Sequence, residues 1–218
     1  MYTSSSKISP EQDNYSYFFG GGISLDDDGI LILDNCSMIS NIASKGGGGF
    51  FVGNLADVTV HSLVCQKNVV TGHGSGGCLF VGDASKVIIT DALMTENQAD
   101  SGGAISAIGA LSFLTNSQLR FNIARNGGAI FVDKAAAIYV VNSNLERNNA
   151  TEYGGALYSR KSTHTTLREV SIIGNRAQFG GGVAIEDHPG EIENSTIWYD
   201  TENPIKILTL VKGIILQI

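Results

Sequence analysis

Residues 127–130 read Gly-Gly-Ala-Ile, and the same pattern of two glycines, a small residue and an apolar residue occurs seven times along the chain. The copies begin at Gly20, Gly47, Gly76, Gly102, Gly127, Gly154 and Gly180, so successive copies lie 25 to 29 residues apart. A period of this length is typical of solenoids, in which each repeat forms one coil that buries its apolar face against the next. The tetrad therefore predicts a stacked repeat fold for most of the chain.

A second motif, apolar-x-x-Asn-x-small, precedes six of the seven tetrads. Stacked amides at the strand spacing of about 4.8 Å can bond to one another and to turn backbone, so we predict that these asparagines form an inward ladder at one corner. The ladder residues are Asn41, Asn68, Asn97, Asn122, Asn148 and Asn175. Residues 197–200 are a degenerate seventh copy of the motif, with Asp200 at the anchor position. A further polar column lies six residues before each of these seven anchor positions, and we place it in an inward corner as well. Its members are Asn35, Ser62, Asp91, Asn116, Asn142, Glu169 and Asn194.

The segments between the motifs have the composition of strands. Residues 58–60, 87–89 and 138–140 are β-branched or aromatic runs, and no segment shows a sustained helical stripe. The third position after each first glycine is apolar in every copy, which predicts that it faces the interior. We therefore predict an all-β parallel β-solenoid of about seven coils. Residues 17–204 form this domain, residues 1–16 are an N-terminal cap or a disordered segment, and the apolar residues 205–218 are a C-terminal cap or a truncated continuation.

Composition narrows the classes of function. The formal net charge is −7, and the 14 Lys and Arg residues are scattered, so we expect no nucleic-acid partner. No apolar run reaches 18 residues, so we expect no membrane span. The three cysteines, Cys36, Cys65 and Cys78, are odd in number and match no metal or redox spacing. We interpret them as small buried hydrophobic residues, with a disulfide as the alternative.

The two motifs taken together resemble those of a known family. The tetrads at 102–105 and 127–130, each paired with an apolar-x-x-Asn motif, resemble the hallmark repeats of the chlamydial polymorphic outer-membrane proteins over about residues 17–200. The Phe of that family's second motif is replaced here by Met, Cys, Leu or Ile. The resemblance implies a right-handed parallel β-helix, pectin-lyase-like in architecture, that serves as a surface-exposed autotransporter passenger implicated in adhesion. It also implies an extracellular or cell-surface location, although no export signal or translocator barrel is recognisable, which points to a fragment or to a related repeat protein.

An enzyme of the pectin-lyase-like class is the alternative function, because right-handed β-helices also house pectate lyases and polygalacturonases. Asp26-Asp27-Asp28 is the one acidic run, and with Asp57 and Asp83 it makes only a thin column, which we interpret as a solvated loop. Gly72-His73-Gly74 resembles a polygalacturonase motif, but its companion motifs are missing. We therefore predict no catalytic residue, no cofactor and no metal site, and keep a carbohydrate-active enzyme or a glycan-binding domain as the alternative.

The fourth residue after the first glycine of each tetrad supplies the candidate interaction surface. If the third and fifth positions point inward, the fourth points outward. Exposed apolar stripes mark interaction surfaces, so we expect a stripe that contacts a host protein, a neighbouring surface protein or a glycan. The stripe residues are Phe51, Phe80, Phe131 and Tyr158. The alternative is that a neighbouring segment covers these rings.

Overall fold

The computed structural model describes residues 11–188, 190–198, 205–207 and 211–212, with the side chains of 13–188 and 190–198. Within this part of the chain every regular element is a β-strand. The strands are, in chain order, β1 (Glu11–Gln12), β2 (Tyr15–Ser16), β3 (Ile23–Leu25), β4 (Ile30–Ile39), β5 (Ile42–Ala43), β6 (Phe50–Val52), β7 (Asp57–Gln66), β8 (Val69–Val70), β9 (Leu79–Val81), β10 (Lys86–Thr90), β11 (Leu93–Thr95), β12 (Ile105–Ile108), β13 (Leu111–Thr115), β14 (Gln118–Arg120), β15 (Ile123–Asn126), β16 (Ile130–Asp133), β17 (Ala137–Val141), β18 (Asn144–Glu146), β19 (Asn149–Tyr153), β20 (Leu157–Arg160), β21 (His164–Arg168), β22 (Ser171–Ile173), β23 (Val183–Glu186), β24 (Gly190–Glu193), β25 (Thr196–Trp198), β26 (Ile205–Ile207) and β27 (Val211–Lys212).

Every pairing between these described strands is parallel and joins one coil to the next. The last residue of each tetrad is the first residue of a strand in an eight-stranded sheet, called here the tetrad sheet. The strand order in this sheet is β26-β23-β20-β16-β12-β9-β6-β3. A larger, 14-stranded sheet branches at β7, which pairs with β4 on one side and with both β10 and β11 on the other. The ten-residue strands β4 and β7 run through a corner at which each later coil has two separate shorter strands. The side between the asparagine corner and the next tetrad, called here the groove side, carries only the short sheets β2-β5-β8 and β15-β19. This arrangement is a parallel β-solenoid of about seven coils, as predicted from the period.

The interior is filled by stacked apolar side chains. Ile130 lies in register between Ile105 of the preceding coil and Leu157 of the following coil, and all three are buried. One continuous hydrophobic cluster runs through the described coils. No coil can bury this face alone, so the coils stabilise one another by stacking.

The two glycines of each tetrad have different physical roles. Gly127 has a φ of +62°, in the left-handed region that side chains with a Cβ disfavour. A Cβ on Gly128 would overlap the carbonyl oxygen of Gly155 in the next coil, so this position is small because two backbones approach closely. The first glycine therefore makes the corner and the second lets the coils stack.

The polar column six residues before the anchor positions was predicted to face inward, and this prediction is wrong. Its residues are exposed rather than inward, and each has a φ between 46° and 57°. A left-handed backbone turns the chain at this corner, and Asn and Asp tolerate that conformation better than other residues with a side chain. The column is therefore polar because its backbone is left-handed and its side chains meet water. Its members are Asn35, Ser62, Asp91, Asn116, Asn142, Glu169 and Asn194.

All three cysteines are buried, as predicted, but two of them form the disulfide that was the alternative. Cys65 and Cys78 form a disulfide inside the third coil, whereas Cys36 is free. In other coils these two positions hold a larger apolar residue of the asparagine motif and the small residue of the tetrad, such as Leu119 and Ala129, which are both fully buried. These two inward positions lie on facing sides of the coil, close enough for a disulfide bond to form when both hold cysteine. Burial raises the pKa of the Cys36 thiol to about 11, which keeps it protonated and inert.

The predicted terminal segments lie partly outside the described residues. Residues 1–10 are outside, but β1 and β2 pair with β4 and β5, so the described end of the expected cap is part of the solenoid. At the other end β26 and β27 continue two sheets, whereas residues 208–210 and 213–218 are outside. The degenerate copy of the asparagine motif has its apolar residue, Ile197, in the core, and Asp200 lies outside the described residues.

Candidate binding surfaces

The anchor asparagines form a continuous hydrogen-bonded column inside the solenoid. The backbone N–H and the Nδ2 of Asn122 both donate to Oδ1 of Asn148, each at 3.0 Å, and Nδ2 also donates to the carbonyl of Met94 at 3.0 Å. The same pattern repeats from coil to coil along Asn41, Asn68, Asn97, Asn122, Asn148 and Asn175. Because these side chains are buried and engaged with protein atoms, the column is a structural element of the corner and offers no groups to a ligand.

Sequence reasoning missed one member of this column. Asn14 donates from its backbone N–H at 3.1 Å and from Nδ2 at 3.0 Å to Oδ1 of Asn41. The signal was present, because Asn14 lies one repeat length before Asn41. It was hidden because Glu11 occupies the position that is apolar in the other copies.

The four predicted stripe aromatics do not form one exposed surface. Phe51 and Phe80 are half-buried and stack with ring centroids 5.3 Å apart. Phe131 and Tyr158 are buried, with exposed fractions of 5% and 3%, so the expectation that they face solvent is wrong. Tyr153 covers Tyr158 at 5.1 Å between centroids, and the Arg160 guanidinium lies 5.4 Å above the Phe131 ring.

The reason is a second outward column on the other side of the tetrad corner. Its side chains come from the residue just before each first glycine, and they lean against the fourth-position rings. Where that residue is large, as at Tyr153, it covers the ring of Tyr158. Where it is Gly46 or Ser75, the rings of Phe51 and Phe80 stay partly exposed. The column is Phe19, Gly46, Ser75, Ser101, Asn126, Tyr153 and Phe179.

The most exposed aromatic side chains lie elsewhere, in the first described coil. Tyr17 and Phe18 have exposed fractions of 76% and 67%. Tyr15 packs edge-on against Tyr17, and Phe19 packs against Phe51 at 4.3 Å between centroids. This aromatic run spans the predicted boundary between the N-terminal cap, residues 1–16, and the solenoid.

Charged groups surround Tyr158 on the tetrad sheet. Its hydroxyl donates to Oε2 of Glu186 at 2.8 Å, while Arg160 donates from Nε and Nη2 to Oδ2 of Asp133 at 3.2 and 3.0 Å. Burial raises the pKa of Tyr158, and the hydrogen bond to Glu186 raises it further. Glu186 thus holds the phenol of Tyr158 and Asp133 holds Arg160, and these contacts keep the aromatic cover in place.

The predicted acidic column is a set of turn hydrogen bonds. Oδ1 of Asp27 accepts from the backbone N–H of Asn54 at 2.7 Å, and Oδ1 of Asn54 accepts from the N–H of Asp83 at 2.9 Å. Among the residues that the structure describes, no group of three or more His, Cys, Asp or Glu side chains is placed to hold a metal ion. His73 is exposed and lies 3.7 Å from Oδ1 of Asp100.

A buried polar cluster joins the last coils. Nε2 of His188 lies 2.7 Å from Ser162 Oγ, 3.0 Å from Thr165 Oγ1 and 3.3 Å from Ser159 Oγ. Because a carbonyl only accepts, His188 Nδ1 donates to the carbonyl of Glu186 at 2.9 Å and Nε2 is the acceptor. Burial lowers the pKa of His188. The nucleophile-like hydroxyls are themselves buried, so the cluster satisfies polar groups in the interior.

A groove of about 460 Å³ opens on the groove side, across the third to sixth coils. One wall carries Val69, Gln98 and Ile123, and the other carries Thr71, Asp100 and Arg125. No helix in the described part of the chain is long and apolar enough to cross a membrane.

Comparison with known proteins gives three relatives of note. Probable outer membrane protein pmp19 of Chlamydia pneumoniae is 30% identical over 60% of this chain and 15% of its own length. Probable outer membrane protein PmpG of Chlamydia muridarum is 27% identical over 73% of this chain and 20% of its own length. Metabotropic glutamate receptor-like protein R of Dictyostelium discoideum is 26% identical over 58% of this chain and 8% of its own length.

These relatives are much longer than the segment they share with this chain, which spans between 8% and 20% of their lengths. No model of a protein family matches the chain. No solved structure matches it either.

Proposed function

We propose that this chain, a parallel β-helix similar in its repeats to the chlamydial polymorphic outer membrane proteins, is a non-enzymatic adhesive or structural module at a cell surface. The observation that carries the proposal is the likeness of its repeats to proteins named as outer membrane proteins. Those relatives are not named as enzymes. We extend to this chain the location that the names of these relatives state, and we add adhesion as its role.

The chemistry of the described residues supports this reading. The anchor asparagines and the His188 cluster bond to protein atoms in the interior, and the carboxylates of Asp133 and Glu186 bond to Arg160 and Tyr158. The outside offers aromatic rings in the first coil and half-buried rings along the tetrad sheet. Such surfaces suit recognition of a protein or a glycan.

The disulfide between Cys65 and Cys78 is a second line of support. Structural disulfides form and persist in oxidising compartments and are rare in the cytosol. A buried disulfide therefore fits a protein that works outside the cytosol, in keeping with the names of the relatives.

Two measurements test the proposal. Antibody labelling of intact cells of the source organism is expected to detect the protein, and beads coated with the folded chain are expected to attach to cultured epithelial cells above beads coated with the heat-unfolded chain. Labelling only after permeabilisation, together with equal attachment of both bead preparations, would refute the proposal.

A further inference from the structure

The exposed rings of the first described coil continue into the half-buried rings of the tetrad sheet. Phe19 packs on Phe51 at 4.3 Å between centroids, and Phe51 stacks on Phe80 at 5.3 Å. Tyr15 and Tyr17 pack edge-on at 5.0 Å, a few residues before Phe19 in the same coil. Together with Phe18 these rings are called here the aromatic patch, whose members are Tyr15, Tyr17, Phe18, Phe19, Phe51 and Phe80.

The aromatic patch leaves a large apolar surface open to solvent. The exposed fractions are 76% for Tyr17, 67% for Phe18, 55% for Tyr15 and 40% for Phe19. With about 200 Å² for each fully exposed aromatic residue, these four residues leave about 480 Å² uncovered. A contiguous apolar surface of a few hundred Å² is typical of a site at which a protein meets another molecule. The patch therefore calls for a partner that covers it.

The chain itself shows what packs against such rings. In the sixth coil Tyr153 lies over Tyr158 at 5.1 Å between centroids, and Tyr158 is buried. Ser75 holds the position of Tyr153 in the third coil, and there Phe80 is only half-buried. An aromatic ring that arrives from outside beside Phe80 thus repeats a contact that the fold already makes within one chain.

A second copy of the chain supplies rings of this kind and has the same need for cover. Two patches that face each other remove about 960 Å² from solvent, before the half-buried Phe51 and Phe80 are counted. Specific protein interfaces bury about 1,200–2,000 Å² in total, and weak, transient ones lie at or below the lower limit. The area of the patch therefore suits a reversible dimer.

The charges at the two ends of the patch are complementary. Asp13 is exposed two residues before Tyr15. Lys45 is exposed at the other end, where its backbone N–H donates to the carbonyl of Phe18 at 2.8 Å. A two-fold axis that crosses the run from Tyr15 to Phe18 exchanges the two ends. It therefore brings Lys45 of one copy opposite Asp13 of the other, and the same pair recurs on the far side of the axis.

We propose that this chain forms a two-fold homodimer through the aromatic patch. Tyr17 and Phe18 of one copy pack beside Phe80 of the other, and the reverse contact is identical. A two-fold contact of this kind is closed, so assembly stops at two copies. The net charge of −7 on each copy opposes association, so with this small area we expect a dissociation constant in the micromolar range. The inference goes beyond the proposed function and does not depend on it.

Sedimentation equilibrium of the full chain over a range of concentrations is the test. The mass of the parent chain is expected to rise from 23.0 kDa toward twice that value and no further. The variant Tyr17→Ser with Phe18→Ser loses the two most exposed rings and is expected to dimerise at least tenfold more weakly. The matched control is Phe121→Ser, which removes an exposed ring outside the patch and is expected to dimerise within twofold of the parent.

A charge exchange gives a readout that loss of folding cannot imitate. Lys45→Asp places like charges opposite each other at both ends of the contact and is expected to weaken dimerisation at least threefold. Adding Asp13→Lys restores opposite charges and is expected to return the dissociation constant to within twofold of the parent. The left-handed backbone at Asp13 accepts a lysine, since Lys67 has a φ of +56° at the same position two coils further on.

A mass of 23.0 kDa at every concentration into the millimolar range overturns the inference. So does undiminished dimerisation of the Tyr17→Ser, Phe18→Ser variant, failure of the charge exchange to restore the dimer, or a mass that grows beyond two copies. If the chain stays monomeric while the ring variant loses attachment of coated beads to cells, the patch serves a different partner and the dimer is refuted. If the chain dimerises while the beads do not attach, the inference stands and the adhesive role fails.

Discussion

At the scale of single residues, the anchor asparagine combines roles that no apolar residue can replace. Asn122 accepts at Oδ1 from the backbone N–H and the Nδ2 of Asn97, and its own Nδ2 reaches two further acceptors. It thereby satisfies polar groups of three coils in a place that water does not reach. Leaving such groups without partners costs about 1–3 kcal/mol each.

The change Asn122→Leu is therefore expected to lower the free energy of unfolding by at least about 3 kcal/mol, because it strands groups on both neighbouring coils. The matched control is Asn144→Leu, an exposed asparagine on β18, for which we expect a change within about 0.5 kcal/mol. Urea denaturation of both variants decides the matter, and equal stability of the two contradicts the structural role of the ladder.

The second glycine of a tetrad is the other residue that the stacking requires. For Gly128→Ala we expect a loss of about 3 kcal/mol, because the added methyl group overlaps the backbone of the next coil. Gly72→Ala is a useful comparison, since Gly72 has a φ of +77° but open space around it. That variant carries only the left-handed strain of about 1 kcal/mol. Thermal melts that rank the two variants in the reverse order are inconsistent with close approach as the cause.

At the scale of the element, the third coil differs from the others in being closed by a covalent bond. Cys65 at the end of β7 and Cys78 just before β9 are 13 residues apart in sequence, and the loop between them includes the exposed Thr71, Gly72 and His73. A crosslink across a loop of this length restricts the unfolded chain. The disulfide thus offsets the conformational freedom of the longest connection between motifs.

Replacing both cysteines, Cys65→Ala with Cys78→Ala, is expected to lower the free energy of unfolding by about 3 kcal/mol. Reductant is expected to destabilise the parent chain by a similar amount and to leave the double variant unchanged, as measured by denaturation with and without dithiothreitol. A parent chain that is indifferent to reductant argues against a stabilising crosslink.

At the scale of the whole molecule, each coil contacts only its neighbours, so stability is a sum of local terms and the ends open before the middle. The buried His188 cluster lies near the C-terminal end of the described coils. Burial lowers the pKa of His188 below its ordinary value of 6.5, so the folded chain binds fewer protons than the unfolded chain in mild acid. The cluster's contribution is therefore complete above pH 6.5 and is lost as the pH falls through 6.5 toward the folded pKa.

We expect limited proteolysis at pH 5 to cut near residues 186–198 before it cuts the middle coils, and at pH 7.5 to spare both regions. Asp187 and the backbone of Glu186 favour the charged imidazole, whereas burial and His164 oppose it, and burial is the largest of these influences. In the His188→Gln variant the difference between the two pH values is expected to shrink, because the titrating group is gone. A pH response that is the same in parent and variant assigns it to other groups.

The sequence by itself determined the period, the number of coils and the side chains that fill the interior, because inward positions meet the same environment in every coil and therefore repeat. The asparagine ladder was readable for the same reason. Only the tertiary structure decided the outside of the molecule. Phe131 and Tyr158 are covered because Tyr153 and Arg160 reach them from other positions of the coil, and the groove exists because side chains from four successive coils align. The disulfide was also decided by the tertiary structure, because only the folded coil brings Cys65 and Cys78 next to each other.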